Sequence, residues 1–145
     1  MEYGSAVWDP YHQVDIQNLE KIQKRAARFA TGNYTQQHGN TNLNMKKLNW
    51  TPLEERRAAI KLTLFFKAKH DLVQIPLNHL NSSSLNTRRG NGAYAIPMSN
   101  VDSHLYSFYP SAIRLWNGLP DAGKNQLSTE SFKNYLDTIV LRSKF

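Results

Sequence analysis

Lys21, Lys24, Arg25 and Arg28 recur at three- and four-residue spacing near the start of the chain. On a helix that spacing sets four cations along one side. Such a ridge fits a run of phosphates rather than base edges, so a nucleic-acid backbone, RNA or DNA, is the partner its chemistry matches. Each phosphate neutralised contributes a slope of about −0.9 in log K against log salt on duplex and about −0.7 on single strands. Arg88 and Arg89 lie in a stretch rich in Asn, Ser and Gly and would add contacts from a loop. Arg56 and Arg57 are weaker candidates, because Glu54 and Glu55 adjoin them. The plainer reading of these cations is a set of solvated helix faces, which composition alone favours slightly.

Other chemistries find little support. His12, His38, His70, His79 and His104 make no i,i+4 pair and no HExxH arrangement. His12 with Asp15 could share a metal, but the pair fits a turn before a helix equally well. Arg88-Arg89-Gly90-Asn91-Gly92 lacks the spacing of a phosphate-cradling loop. No G-x-S-x-G elbow supports a serine nucleophile. The expectation is no catalytic residue, no metal and no cofactor. Exposed aromatic rings can stack unpaired bases. Tyr34, Tyr94, Tyr106 and Tyr109 are candidates for that role, with Tyr94 and Tyr109 undecided. Trp8, Trp50, Phe65, Phe66 and Trp116 read as core.

The 145 residues fit a single module, and a hydrophobic fraction of 40% allows a modest core. Cysteine is absent, which excludes disulfides and thiolate zinc sites. No secretory leader and no apolar run long enough to span a bilayer is read, so the expected location is intracellular, with a nuclear one suggested by short basic pairs. The formal charge is +7, unevenly spread. Residues 1–20 hold Glu2, Asp9, Asp15 and Glu20 and no Lys or Arg; residues 21–70 hold most of the cations against only Glu54 and Glu55. That field attracts polyanions.

The elements that must position these residues are mostly helical. Asp15 reads as the N-cap of a first helix whose apolar stripe is Leu19, Ile22, Ala26 and Phe29, with Gly32 as its C-cap. A short helix over about 42–49 is opposed by its Asn content. Thr51-Pro52-Leu53-Glu54 reads as a capping box opening a helix to about His70, apolar around most of its circumference and therefore buried, with basic side chains reaching outward. Pro76 stops any continuation. Residues 81–92 read as a flexible loop dividing a basic helical half, 1–80, from an aromatic half, 93–145. Tyr94-Ala95-Ile96-Pro97 and Leu105-Tyr106-Ser107-Phe108 read as short extended segments. Pro110 opens a helix carrying Ile113, Leu115 and Trp116 that Gly118 and Pro120 end. Ser128 caps a last helix, with Leu127 and Phe132 spaced for a hydrophobic staple and Phe132, Leu136, Ile139 and Val140 as its stripe. The fold class expected is mainly α: a small domain of about four to five helices, a long loop and short extended segments.

Four blocks, in order, resemble the region after the reverse-transcriptase core of non-LTR (LINE-type, jockey-like) retrotransposon polyproteins. They are Glu2 to Tyr11 followed by Leu19 to Phe29; Leu48 to Arg57; Leu64 to Lys67; and Ser107 to Pro120. The resemblance covers nearly the whole chain. It implies a thumb-adjacent piece of an RNA-directed DNA polymerase that helps hold template or primer–template duplex, with Lys21, Lys24, Arg25 and Arg28 carrying that role. A polymerase of this kind needs clustered aspartates to hold two divalent cations. No Asp-Asp pair is present, so polymerase activity is not expected. Two alternatives stay open: backbone binding, with a reverse-transcriptase core supplied in trans as one arrangement, or a helical interaction module or remnant whose apolar faces once packed on the missing core.

Overall fold

A computed structural model describes residues 3–34, 40–75 and 93–142. It is mainly α, with eight helices among the described residues: α1 (Ser5–Trp8), α2 (Gln13–Thr31), α3 (Asn40–Lys47), α4 (Leu53–Lys69), α5 (Asp102–Leu105), α6 (Phe108–Gly118), α7 (Asp121–Lys124) and α8 (Thr129–Arg142). The fold class expected from the sequence is the one observed. The chain forms two compact units, one of residues 8–57 and one of residues 1–7 with 58–145, so the division falls within α4. The loop expected at 81–92, Pro76 and the pair Arg88 and Arg89 lie outside the described residues.

The larger unit is built on aromatic packing. Leu62, Phe65 and Phe66 of α4, Ala112, Ile113 and Trp116 of α6, Leu119, and Phe132 and Leu136 of α8 form one buried cluster. Phe66 stacks on Phe132 with ring centroids 4.4 Å apart, and Phe65 meets Trp116 at 5.3 Å. Such ring pairs add about 0.5–1.5 kcal/mol beyond the area they bury. Within 53–69 only Glu54 and Ile60 are exposed, as expected for a helix apolar on most sides. Its basic residues do not all reach outward: Arg57 and Lys61 are buried.

Local chemistry explains most helix ends. Gly32 stands in the left-handed region (φ 63°) and closes α2, its N–H donating to the Phe29 carbonyl. Asn49 (φ 51°) closes α3, and Asp71 (φ 54°) closes α4. At both ends two successive N–H groups return to carbonyls of the last turn: Asn49 to Lys46 and Trp50 to Met45, then Asp71 to Ala68 and Leu72 to Lys67. This is the Schellman arrangement, with residues that tolerate positive φ in place of glycine. Asp71 thus ends α4 well before Pro76. The Asn content of α3 does not prevent it, since Asn44 is buried with its Nδ2 3.5 Å from the Asn33 carbonyl.

Several sequence expectations need correction. Asp15 is not the N-cap of α2; it lies in the first turn, where its charge suits the helix dipole, and His12 takes the cap position. Leu105 to Phe108 is not extended: Leu105 ends α5 and Phe108 opens α6. Residues 93–98 are non-helical, and their backbone is held by a side chain. The Asn117 amide donates to the Tyr94 carbonyl at 2.8 Å and its Oδ1 accepts the Tyr94 N–H at 3.0 Å. Ser128 caps α8 through the Ser131 N–H at 3.1 Å, but Leu127 is 96% exposed, so no staple forms with buried Phe132.

Two features of this unit are testable. Gly123 of α7 sits where a Cβ would enter the Tyr135 ring of α8 and press on Leu119. Gly123→Ala is expected to cost about 1–3 kcal/mol by overpacking, seen as a lower midpoint in urea denaturation. Lys69 Nζ lies 4.8 Å from the centre of the Trp116 ring. Burial, and then the Lys124 ammonium, hold its pKa below the ordinary lysine value. The unfolded chain therefore binds more protons just below that value, and stability contributed at Lys69 rises with pH there. The stability difference between wild type and Lys69→Met should shift toward wild type as pH rises through that window; a flat difference would contradict it.

Candidate nucleic-acid interface

The cationic ridge lies on α2, in the unit of residues 8–57. Two polar side chains of α2 tie it to the start of α4: Gln23, on the far side of the helix from the ridge, and Glu20, one turn before Lys24 at the ridge's edge. The Gln23 amide donates to the Thr51 carbonyl at 2.9 Å. The Glu20 carboxylate accepts the Glu54 N–H at 3.0 Å. Glu54 is the second residue of α4, so Glu20 supplies the helix cap expected from Thr51 and Glu54 themselves. Thr51 contributes its carbonyl instead. A third tie, Arg57 Nε to Asp9 Oδ1 at 2.8 Å, holds a guanidinium that is 1% exposed. Arg57 is therefore paired with Asp9 rather than neutralised by Glu54 or Glu55, and it is not available to a ligand.

These ties decide which way α2 faces. Gln23 and Ala27 are its buried residues. The expected stripe does not face the core: Ile22 is 44% and Phe29 78% exposed, Ala26 is exposed and Leu19 is half-buried. At about 100° per residue, Lys24, Arg28, Lys21 and Arg25 fill an arc of about 100°, Phe29, Ile22, Ala26 and Leu19 fill roughly the next 80°, and Gln23, Ile16 and Ala27 lie opposite Arg25. Hydrophobic periodicity located the apolar column but not its partner. Polar Gln23 takes the contact through its part-buried bond to the Thr51 carbonyl, and Glu20 adds an exposed bond to the Glu54 N–H.

The four ridge residues are brought together as expected. Lys21 and Arg25 are exposed, while Lys24 and Arg28 are half-buried. None of the four forms an ion pair among the described residues. Lys21 Nζ lies 3.5 Å from Asn18 Oδ1, a neutral neighbour. Lys46 and Lys47, exposed at the end of α3, add charge to the same unit. Arg88 and Arg89 lie outside the described residues. Among the described residues no three His, Asp or Glu side chains converge as a metal site would need. His12 instead rests against Tyr11, with ring centroids 4.1 Å apart.

The aromatic candidates separate by burial. Tyr94 packs edge-on against Phe65 at 5.6 Å, and burial raises its pKa, so it belongs to the core. Tyr106 lies under the Arg114 guanidinium at 5.8 Å, and Tyr109 is half-buried beside Phe108. Tyr34 is 63% exposed. Trp8, which the sequence marks as core, is 44% exposed, and Trp50 is half-buried. Phe29, expected in a core-facing stripe, is exposed beside the ridge, and only the rotation of α2 reveals it.

The chain matches no protein-family profile, no curated protein and no solved structure. No helix among the described residues is long and apolar enough to cross a membrane.

If Glu20 caps α4, Glu20→Ala should lower stability by about 0.5–2 kcal/mol, as loss of an N-cap acceptor does. Glu20→Gln, which keeps an acceptor without the charge, should lose less. Thermal denaturation of the three proteins at neutral pH checks the order.

Proposed function

We propose that this chain is a non-catalytic, nucleic-acid-binding piece derived from the C-terminal region of a non-LTR retrotransposon reverse transcriptase. It holds RNA or DNA by the backbone through Lys21, Lys24, Arg25 and Arg28. The observation that carries this reading is the unpaired state of the ridge: four cations within one arc of α2, two of them exposed, with no carboxylate of the described residues engaging them. Cations kept as a solvated surface usually alternate with acids; this arc contains none, and the acid at its edge, Glu20 one turn before Lys24, accepts the Glu54 N–H instead. The four sequence blocks supply the parent family, and the absence of paired aspartates supports a holding role over a chemical one. Arg88 and Arg89, outside the described residues, belong to the same proposal as further cationic contacts.

A second reading, an interaction module or remnant that once packed on a polymerase core, rests on a groove within the larger unit. It lies between α4 and α8, encloses about 420 Å³, and is lined by Ala59, Ile60, Thr63, Leu64, Lys67, Lys133 and Asp137. Its apolar wall would suit a packed neighbour.

Fluorescence anisotropy with labelled RNA and DNA over a salt series separates the two. On the first reading, affinity falls steeply with salt. The Lys21/Lys24/Arg25/Arg28→Ala variant then loses about 0.7–0.9 from the log–log slope for each phosphate contact removed. Lys21→Ala/Arg25→Ala should account for most of the loss, because those two side chains are exposed. Absent or salt-independent binding by the folded chain would leave the packed-module reading.

A further inference from the structure

We infer that the α2 surface takes single-stranded rather than duplex nucleic acid, with the Phe29 ring serving as a stacking platform for an unpaired base. The inference rests on the reading of α2 as a phosphate-binding helix and adds the state of the strand it binds.

A helix that only tracks a duplex backbone needs cations and short polar side chains along its contact face. It has no use for a large exposed aromatic beside them, because the bases of a duplex are stacked on one another. Phe29 is 78% exposed, and it borders the ridge directly. Arg25 lies one turn before it on the same side of the helix, and Arg28 is its neighbour in sequence. Ile22 and Ala26, also exposed, extend the apolar column along the helix. Tyr34, two residues past the Gly32 turn, offers a second exposed ring in the same unit. A strip of phosphate-binding cations alongside an apolar strip with a ring at its end is the arrangement that unpaired strands use: backbone on the charge, bases on the rings.

The other occupants of such a face fit less well. A second copy docked face to face would bring two unpaired cationic ridges together. A membrane surface takes a wide apolar face with several large side chains; here the column exposes two, Ile22 and Phe29, with Ala26 between them and Leu19 half-buried. Charge complementarity and the exposed ring on the column together favour a polyanion with planar groups to stack.

The test uses the full chain and four labelled probes: a single-stranded oligonucleotide, its duplex, a single strand of the same length carrying abasic sites in place of bases, and vesicles of phosphatidylcholine with one-quarter phosphatidylserine. Proteins are wild type, Phe29→Ala, Phe29→Tyr and the four-cation variant, each checked for fold by circular dichroism. Because Phe29 is exposed, its replacement should leave the fold intact. Phe29→Ala is expected to weaken single-strand binding by roughly 5- to 150-fold, the range for loss of one stacked base. It should leave duplex binding essentially unchanged, while Phe29→Tyr restores the single-strand affinity. Wild type should bind the abasic strand no more tightly than Phe29→Ala binds the normal one, and on the abasic strand Phe29→Ala should bind like wild type. Equal losses on single strand and duplex, or no loss on the single strand, would overturn the inference while leaving the backbone reading in place. Oligonucleotide binding unchanged in the four-cation variant would overturn both. Vesicle binding that needs Phe29, with oligonucleotide binding that does not, would assign the face to a lipid surface instead.

Discussion

The smaller unit depends on two hydrogen bonds made by one turn of α2. Gln23 donates to the carbonyl of Thr51, and Glu20 accepts the N–H of Glu54. The Glu54 N–H is one of the first N–H groups of α4, which a helix leaves without intrahelical acceptors, and the Thr51 carbonyl lies just ahead of that helix. The Gln23–Thr51 bond is part-buried, where a group left without a partner costs about 1–3 kcal/mol; the Glu20–Glu54 bond is exposed and contributes less. An apolar side chain that stays partly exposed forfeits less than its full burial energy, so the hydrogen bonds prevail. Together with the packing of α2 on α3 and the burial of Ala27, this pair fits the observed rotation of α2, in which Gln23 faces inward and Ile22 and Phe29 face water.

The outward surface of α2 has an unusual composition as a result. Cations and apolar residues stand side by side in water, while glutamine and alanine are buried. The Asp9–Arg57 pair reinforces the same junction by holding the chain before α2 to the N-terminal part of α4. Breaking such a buried pair from one side is costly, since it strands an ion in a low-dielectric setting. A helix held from behind in this way has its backbone already ordered, so ordering on binding would fall on its side chains alone.

The larger unit obeys a different rule. Its core is aromatic and aliphatic, and its order comes from shape: Phe66 on Phe132, Phe65 against Trp116 and Tyr94, and the bare Cα of Gly123 against the Tyr135 ring. Its polar contacts finish what packing begins, as when the Asn117 amide holds the Tyr94 backbone. α4 contributes residues to both units, and its sequence reflects this, with polar and charged residues through Arg57 and dense apolar ones from Ala58 onward.

The helical class, the extents of α2, α4, α6 and α8 to within a few residues, and the grouping of Lys21, Lys24, Arg25 and Arg28 on one side of a helix were all legible in the order of residues. These are consequences of local chemistry: residue spacing at the helical period, a glycine able to take positive φ at position 32, a serine able to cap at 128. Phe65, Phe66 and Trp116 were equally legible as core, because dense apolar surroundings leave a large ring no other place. Long-range packing alone dictates that the column Ile22, Ala26 and Phe29 faces water, that Arg57 is buried, and that Leu127 and Trp8 stand exposed. For α2 and Arg57 the deciding partners are distant in sequence, Thr51 and Glu54 for the helix and Asp9 for the guanidinium. Hydrophobic periodicity measures how apolar a helix face is, not whether unsatisfied backbone groups elsewhere will claim the opposite one.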